Sequence, residues 1–371
     1  METLICSSEV YPEPSAIREL PFLISQVKDM AGLVESAIRE GLACLLYKNL
    51  LRAKVLDKLE GPLRERLLGC YNQTVLVNLR MIHDLKEILG LANNKRIPLV
   101  LLQGIVMLQE IYRDPGLRPM RDIDLWVLEE HFPPLEGILH SLGYMQDSSY
   151  PNTFRKGLTL IDVHTHILWA DRIRAMAGLL AGDQNQLFNA ALPIHFEGQE
   201  ALCLQPCDQV LYLALHILKH NAGKLIWLVD LRFLLARWKK EDWLSLAARA
   251  RALDLERPTA QVLYLLSHFF ECMLPAEVSR TLGKGRLGLM EKKVLSMRIK
   301  GHHLPFFAPL FLLTAGRDAK KRLSVVREKV FPRPEILRQI FEDCRNSGLG
   351  VLYWKRICYL LKQIRNSLKR V

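Results

Sequence analysis

A short apolar run at residues 99–102 (LVLL) constrains the fold of this chain more than any other sequence feature. It follows a turn-forming segment at residues 93–98 (NNKRIP) and is ended by Gln103-Gly104. An apolar run of this length between turn signals predicts a strand that is buried on both faces. We therefore expect a small sheet near the middle of the chain.

Two further segments alternate polar and apolar residues, as strands with one polar face do. They are residues 122–127 (DIDLWV) and residues 158–168 (LTLIDVHTHIL), and residues 152–156 are a less regular candidate. Residues 105–112 and 133–142 have helical patterns. The predicted order is therefore strand, helix, strand, helix and then one or two strands.

Helical periodicity dominates on both sides of these strands. Residues 15–93 place apolar side chains at intervals of three and four, which indicates amphipathic helices. A break is expected at Gly61-Pro62, because proline is favoured in the first turn of a helix. The helical period returns from Asp171 onward. We therefore predict an α+β fold, a small mixed-sheet core flanked by N- and C-terminal helical regions.

The length of 371 residues allows one large domain or about two to three ordinary ones. With 50% apolar and 24% charged residues, the composition is that of a globular protein. The changes in pattern predict a helical region at residues 1–92, an α/β core at residues 93–170 and a helical region at residues 171–371.

No apolar run reaches the roughly 18 residues that a membrane-spanning helix needs, so no span is expected. The first residues (METLICSSEVYPEPS) lack a basic segment followed by an apolar one, so no signal peptide is expected either. We therefore expect a cytoplasmic protein.

The chain is basic, with 51 Lys and Arg against 39 Asp and Glu, a net charge of +12. Residues 354–371 carry basic side chains and no acid. Such a tail could contact nucleic acid or nucleotide phosphates. A solvated basic helix face is favoured, because no aromatic-rich nucleic-acid motif accompanies it.

Three carboxylates fall on the predicted strands. Asp122 and Asp124 are two residues apart, so they share one strand face at a separation of roughly 7 Å. Carboxylates so placed repel each other, and a divalent cation between them removes that repulsion. Asp162, on a later strand, could hold a second metal or deprotonate an attacking group. Gly104 would let a backbone approach phosphate closely.

The order of these elements resembles a known family. Residues 99–127 (LVLLQGIVMLQEIYRDPGLRPMRDIDLWV) are similar to the bacterial uncharacterised nucleotidyltransferases, within the DNA polymerase β-like superfamily. The shared features are an apolar strand, a Gly turn, a Tyr, a Pro-Gly-x-Arg stretch and an Asp-Ile-Asp strand. Gly143-Tyr144, the Asp-x-His at residues 162–164 and a helical motif at residues 213–231 extend the likeness over roughly residues 40 to 240.

The resemblance implies a Mg²⁺-dependent transfer of a nucleotidyl group from a nucleoside triphosphate to an acceptor that the sequence does not identify. It implies that the metal is held by Asp122, Asp124 and Asp162. It also places Gly104 at the nucleotide's phosphates. We expect Gln103, in the same turn, and the nearby Arg118 and Arg121 to contact those phosphates as well. Two departures concern the turn, where Gln103 replaces the family's Lys and Gly104-Ile105 replaces the usual Gly-Ser or Gly-Gly.

Other interpretations remain open at this point. The chain could be a catalytically weak or inactive module that binds nucleotide or a protein partner, or a nucleic-acid-binding protein. Arg118 and Arg121 could neutralise the acidic pair instead of binding phosphate. The alternation predicts that Asp162, His164 and His166 share a face, where His164 orients Asp162 or the histidines hold zinc or iron. His216 and His220 are expected to be packed core histidines.

Overall fold

The protein is described by a computed structural model that covers residues 2–10, 13–270, 287–341, 344 and 347–368. The N-terminal helices are α1 (Glu2–Cys6), α2 (Pro14–Ser25), α3 (Met30–Glu40), α4 (Ala43–Arg52) and α5 (Gly61–Asn94). The long helix α5 begins at the predicted break, with Pro62 in its first turn. Proline suits this position because its missing N–H would have no partner there.

The central part of the chain alternates strands and helices. It contains β1 (Val100–Leu102), α6 (Gly104–Met107), a π-helical turn (Leu108–Tyr112), β2 (Ile123–Trp126), α7 (Phe132–Ser141), β3 (Met145–Gln146), β4 (Thr153–Lys156), β5 (Thr159–His164), α8 (Gln184–Asn189), β6 (Leu192–Phe196) and β7 (Gln199–Cys203). These positions confirm the strands predicted near residues 99–102, 122–127 and 158–168.

The seven strands form one sheet in the order β3-β4-β5-β2-β1-β7-β6. Strand β2 is parallel to β5 and antiparallel to β1, while β1 is parallel to β7. The other neighbours are antiparallel. The sheet is therefore mixed, and the predicted α+β class is confirmed.

Strands β6 and β7 lie in a segment that was predicted to be helical, and that prediction was wrong. The two strands form a hairpin whose turn residues, Glu197 and Gly198, have φ values of 49° and 80°. Two successive positive φ values match the right-handed twist of a tight hairpin. The hairpin extends the sheet beyond residue 170, where the predicted α/β core ended.

Helix α5 covers one face of the sheet. The Thr159 hydroxyl, at the start of β5, donates to Asp84 of α5 at 2.5 Å. Because successive strand residues point to opposite faces, Ile161 and Val163 share the α5 face, where both are fully buried. Asp162 and His164 therefore lie on the opposite face of the sheet.

The remaining helices follow β7. They are α9 (Pro206–Lys219), α10 (Leu225–Leu235), α11 (Lys240–Ala252), α12 (Glu256–Phe270), α13 (Leu289–Ile299), α14 (Ala308–Thr314), α15 (Ala319–Val330), α16 (Pro334–Ile340) and α17 (Leu349–Leu368). Helix α17 contains most of the predicted basic tail, while Lys369 and Arg370 lie outside the described residues. Among the described helices, none combines the length and apolarity needed to cross a membrane.

The N- and C-terminal helices share one apolar core. The buried carboxylate of Glu40, at the end of α3, pairs with the buried guanidinium of Arg298 in α13. Glu40 also accepts from the backbone N–H of Leu225 at 3.0 Å, at the start of α10. One buried carboxylate therefore joins three helices that are far apart in the sequence.

Candidate metal centre

Asp124 and Asp162 lie directly opposite each other on neighbouring parallel strands, β2 and β5. Their side chains retain 12% and 35% of their exposure, so the site is recessed but open to solvent. The Thr153 hydroxyl of β4 donates to Asp162 Oδ1 at 3.0 Å. The sheet register thus brings together two carboxylates that are far apart in the sequence.

His164 completes this group, two residues beyond Asp162 on β5. Its Nε2 lies 2.9 Å from Asp124 Oδ1 and 3.8 Å from Asp162 Oδ2. The structure therefore corrects the expectation that His164 orients Asp162, since its hydrogen bond goes to Asp124. Asp124, Asp162 and His164 each place one possible metal-binding atom within 4.8 Å of the others.

The charge state of His164 follows from these neighbours. Burial alone lowers the pKa of His164, but the hydrogen bond to Asp124 and the negative charges of Asp162 and Asp124 outweigh it and raise the pKa above its ordinary value. The neighbouring carboxylates therefore stabilise the imidazolium relative to the neutral ring, and whenever Nε2 carries a proton it donates to Asp124. This arrangement fixes the orientation of the Asp124 carboxylate.

Asp122 precedes β2 and is repelled electrostatically by Asp124 and Asp162. Burial, followed by repulsion from Asp124 and Asp162, raises the pKa of Asp122 from 3.8 to about 7. This increase corresponds to roughly 4 kcal/mol of unfavourable free energy for the charged form. A bound divalent cation would remove the repulsion, so the donor set fits an ion that prefers carboxylate oxygens, as Mg²⁺ does.

The turn between β1 and α6 is tight. Gln103 has φ 52° and ψ −122°, a conformation that side-chain-bearing residues rarely adopt. Its buried amide donates to the Tyr212 hydroxyl at 3.3 Å, so helix α9 holds the turn. A Cβ at Gly104 would lie 2.5 Å from Nη1 of Arg118, so any larger residue requires this guanidinium or the turn to move.

Arg118 is buried and belongs to an ion pair that the sequence did not predict. Its Nε and Nη2 donate to Asp230 Oδ2 at 3.1 and 2.8 Å, and the Tyr112 hydroxyl donates to Asp230 Oδ1 at 2.7 Å. Arg118 still lowers the pKa of Asp122 by its charge. It therefore partly neutralises the acidic group from a fixed position.

Arg121 is exposed and directly precedes Asp122 in the sequence. Burial, followed by repulsion from Arg121 and Arg118, lowers the pKa of Lys224. Lys224 lies just before α10, so two basic side chains from separate segments flank Asp122. The sequence identified Arg121, but Lys224 was missed because no local pattern distinguishes it.

Lys219, at the end of α9, is a second basic residue that sequence reasoning missed. Burial lowers the pKa of Lys219 to about 8, while attraction to Asp124 and Asp162 limits the decrease. Its Nζ lies 3.9 Å from the centre of the Trp169 ring. A lysine thus faces the carboxylates from the helix that also holds Gln103.

The other histidines lie outside the three-residue group. Strand β5 ends at His164, so His166 is not on the strand face where it was expected; instead, its Nδ1 accepts from the backbone N–H of Leu168 at 3.1 Å. His216 packs against His220 and Trp227, with ring centres 4.5 and 5.1 Å away. His216 is buried, as expected of a core histidine, whereas His220 at the end of α9 is exposed, so the expectation was wrong for His220. Burial lowers the pKa of His216, which favours its neutral form.

One protein family matches this chain. The family described as "Uncharacterised nucleotidyltransferase" matches residues 27–271, about two thirds of the sequence. The matched region includes helices α3 to α5, the whole sheet and helices α8 to α12. No curated protein and no solved structure matches the chain.

Proposed function

We propose that this chain, which belongs to the uncharacterised nucleotidyltransferase family, transfers a nucleotidyl group from a Mg²⁺-bound nucleoside triphosphate to an acceptor. The observation that carries this proposal is the strand register that sets Asp162 beside Asp124, together with the repulsion that both carboxylates exert on Asp122. Three carboxylates held this close are unfavourable without a cation. The same arrangement is our reason for placing the chain in the DNA polymerase β-like superfamily.

The three carboxylates would have distinct roles. Asp122 and Asp124 would hold the metal, and His164 would keep the Asp124 carboxylate in position. Bound Mg²⁺ would supply positive charge at the triphosphate oxygens and align the phosphate for in-line displacement. Asp162 is more exposed than Asp124, which supports a role in which it would contact both the metal and the acceptor.

The transfer would proceed by a single displacement. An acceptor hydroxyl or phosphate oxygen attacks the α-phosphorus, and the bond from that phosphorus to the bridging oxygen breaks. Pyrophosphate leaves with that oxygen, and Asp162 takes any proton that the acceptor loses. The chain's own contribution is orientation and charge, since the reaction needs no covalent enzyme intermediate.

The nucleotide's phosphates would lie against the turn after β1. Gln103 and Gly104 form this turn, and the charge of Arg118 lies behind Gly104. Arg121 is exposed and would contact phosphate directly. Arg118 would act from behind the turn, because its Nε and Nη2 are already bonded to Asp230.

A second candidate is a nucleotide-binding or protein-interaction module without turnover. The turn favours it, because Ile105 offers no hydroxyl beside Gly104 and Gln103 takes the place of the family's lysine. The retained carboxylates favour the enzyme, since a chain without a metal would gain nothing from holding like charges together.

The test is pyrophosphate release from each of the four nucleoside triphosphates, with Mg²⁺ and with pooled small-molecule and RNA acceptors. We expect metal-dependent release from the wild type and a loss of about 100-fold or more in Asp162→Asn, given the size of catalytic carboxylate effects. Glu130→Gln, a substitution of a nearby exposed acid, serves as the matched control. Nucleotide binding without release from any acceptor pool would favour the non-catalytic module.

A further inference from the structure

Four basic side chains from separate segments lie near one another beside the metal centre. They are Arg172 after β5, Lys219 on α9, Lys329 on α15 and Arg356 on α17, and we refer to them as the basic cluster. Burial, followed by repulsion from Arg356 and Arg172, lowers the pKa of Lys329. Lys329 in turn contributes to the lowered pKa of Lys219. The four charges therefore form one continuous group.

Backbone contacts fix the position of this cluster. Arg356 Nη2 donates to the carbonyl oxygen of Lys329 at 2.8 Å, which joins α17 to the end of α15. The Glu328 carboxylate accepts from the N–H groups of Arg174 and Ala175 at 2.9 and 2.8 Å. These hydrogen bonds connect the end of α15 to the segment that contains Arg172.

Aromatic rings support three of the four cations. Arg356 Cζ lies 5.6 Å from the centre of the Tyr359 ring. Arg172 Cζ lies 4.0 Å from the centre of the Tyr150 ring, and Lys219 lies over Trp169 as described above. An aromatic ring attracts a cation to its face, and the N–H groups of that cation can still donate to other partners. The rings thereby hold these side chains in place without occupying their N–H donors.

The cluster lacks a counter-ion within the described part of the chain. No carboxylate there lies within 4.0 Å of any of the four basic groups, although Asp124, Asp162 and Asp171 attract Lys219 from farther away. Arg172 Nη1 and Arg356 Nε are buried and have no hydrogen-bond partner among the described residues. Buried donors without partners are unfavourable, and an anion with several oxygens would satisfy them.

We propose that the basic cluster is a phosphate-binding site that continues from the metal centre. A phosphate group carries the charge and the acceptor oxygens that the cluster lacks, and guanidinium groups bind it in a two-point geometry. The phosphate would belong either to the nucleotide's own triphosphate or to a phosphorylated acceptor. Its role in transfer rests on the proposed function, whereas phosphate binding itself does not.

This site would extend beyond the region shared with the family. Lys329 and Arg356 follow residue 271, where the family match ends. The C-terminal helices would therefore add a binding determinant to the shared core. Their contribution gives the chain a way to select a phosphorylated ligand.

The test is calorimetric binding of inorganic tripolyphosphate to the full chain at low salt with EDTA present. The variant Lys329→Gln/Arg356→Gln removes two charges from the cluster. The control Lys321→Gln/Lys362→Gln removes two exposed charges from the same two helices. We expect the dissociation constant to rise about tenfold or more in the first variant and less than about twofold in the control.

Lys329→Gln alone guards against misfolding, because the residue as a whole is exposed and only its ammonium end is desolvated by the neighbouring segments. We expect it to weaken tripolyphosphate binding about threefold or more, with unchanged circular dichroism. Equal affinities of the wild type and both cluster variants would overturn the proposal. So would an equal loss in the control, which would indicate a general effect of net charge.

Two further binding experiments distinguish the source of the phosphate and test the basic cluster independently of the metal centre. Weaker binding of Mg²⁺–ATP by the cluster variants would identify the nucleotide's own phosphates, and unchanged Mg²⁺–ATP binding beside weaker tripolyphosphate binding would identify an acceptor phosphate. Asp122→Asn/Asp124→Asn should bind tripolyphosphate in EDTA as tightly as the wild type or more tightly. A failure of metal-dependent nucleotide binding would thus leave the result on the basic cluster intact.

Discussion

Arg118 and Asp230 form a buried ion pair across 112 residues of sequence, with Nη2 of Arg118 2.8 Å from Oδ2 of Asp230. The Tyr112 hydroxyl donates to Oδ1 of the same carboxylate. The pair connects helix α10 to the segment between the turn at Gly104 and the carboxylates of β2. The position of the candidate metal centre therefore depends on a helix that belongs to the C-terminal part of the chain.

Replacing Asp230 should destabilise the fold strongly. Asp230→Ala leaves the Arg118 guanidinium buried without a counter-charge, which costs about 3–5 kcal/mol in other proteins. Urea unfolding followed by circular dichroism measures this loss. The control is Asp57→Ala, which removes a carboxylate from an exposed pair with Arg64 and should change stability little. A small effect of Asp230→Ala would show that the pair does not hold the site together.

Adding a methyl group at Gly104 should also be unfavourable. Gly104→Ala places a Cβ against Arg118 Nη1, so the guanidinium or the turn must move, at a cost of about 1–3 kcal/mol. Gly137→Ala, in helix α7 with open space around it, should instead stabilise the protein by roughly 0.5–1 kcal/mol. Thermal unfolding of both variants compares them directly. Equal shifts in the same direction would contradict the packing described for Gly104.

The stability of the metal-free protein should fall as pH rises from about 4 to about 7. In this range folded Asp122, with its pKa raised to about 7, keeps a proton that the unfolded chain has released. Asp122→Asn removes the effect, so in EDTA it should be more stable than the wild type by roughly 2–4 kcal/mol at pH 8 and equally stable at pH 4. Urea unfolding at both pH values tests this. A less stable variant at pH 8 would mean that Asp122 is favourably charged in the fold.

Metal binding should release protons at low pH. The proton on Asp122 competes with the cation, so the apparent Mg²⁺ affinity should rise as pH increases from 6 to 8, by up to about tenfold per pH unit for each proton displaced. Calorimetry in buffers of different ionisation enthalpy counts the protons released. We expect about one proton or more at pH 6 and fewer at pH 8. A pH-independent affinity would place the cation elsewhere.

Local sequence patterns predicted much of the sheet but not its full extent. Strands β1, β2 and β5 were evident from an apolar run and from alternation, because burial on one or both faces sets these patterns. Strand β6 was missed because its segment was included in the helical region that begins at Asp171, and its Pro193 is unusual in a strand. Its position at the edge of the sheet explains why proline is tolerated there.

The candidate site was predictable only in part. The two-residue spacing of Asp122 and Asp124 predicted that they share one strand face. The structure adds the register of the sheet, which sets Asp162 opposite Asp124. The bond from His164 to Asp124 depends on which strands are neighbours, which alternation alone does not determine. Lys219 and Asp230 reach the site through helix packing, and neither carries a local pattern that distinguishes it from other helix residues.

The most direct test of the central claim is Mg²⁺-dependent binding of ATP, CTP, GTP and UTP, measured by calorimetry on the wild type and on Asp122→Asn/Asp124→Asn. The control, Glu129→Gln/Glu130→Gln, removes two exposed acids close in sequence. We predict that the wild type and the control bind at least one nucleotide only with Mg²⁺, and that the folded aspartate variant loses this binding. Metal-dependent binding of equal affinity in the aspartate variant, or no binding by the wild type, would contradict the assignment of this site.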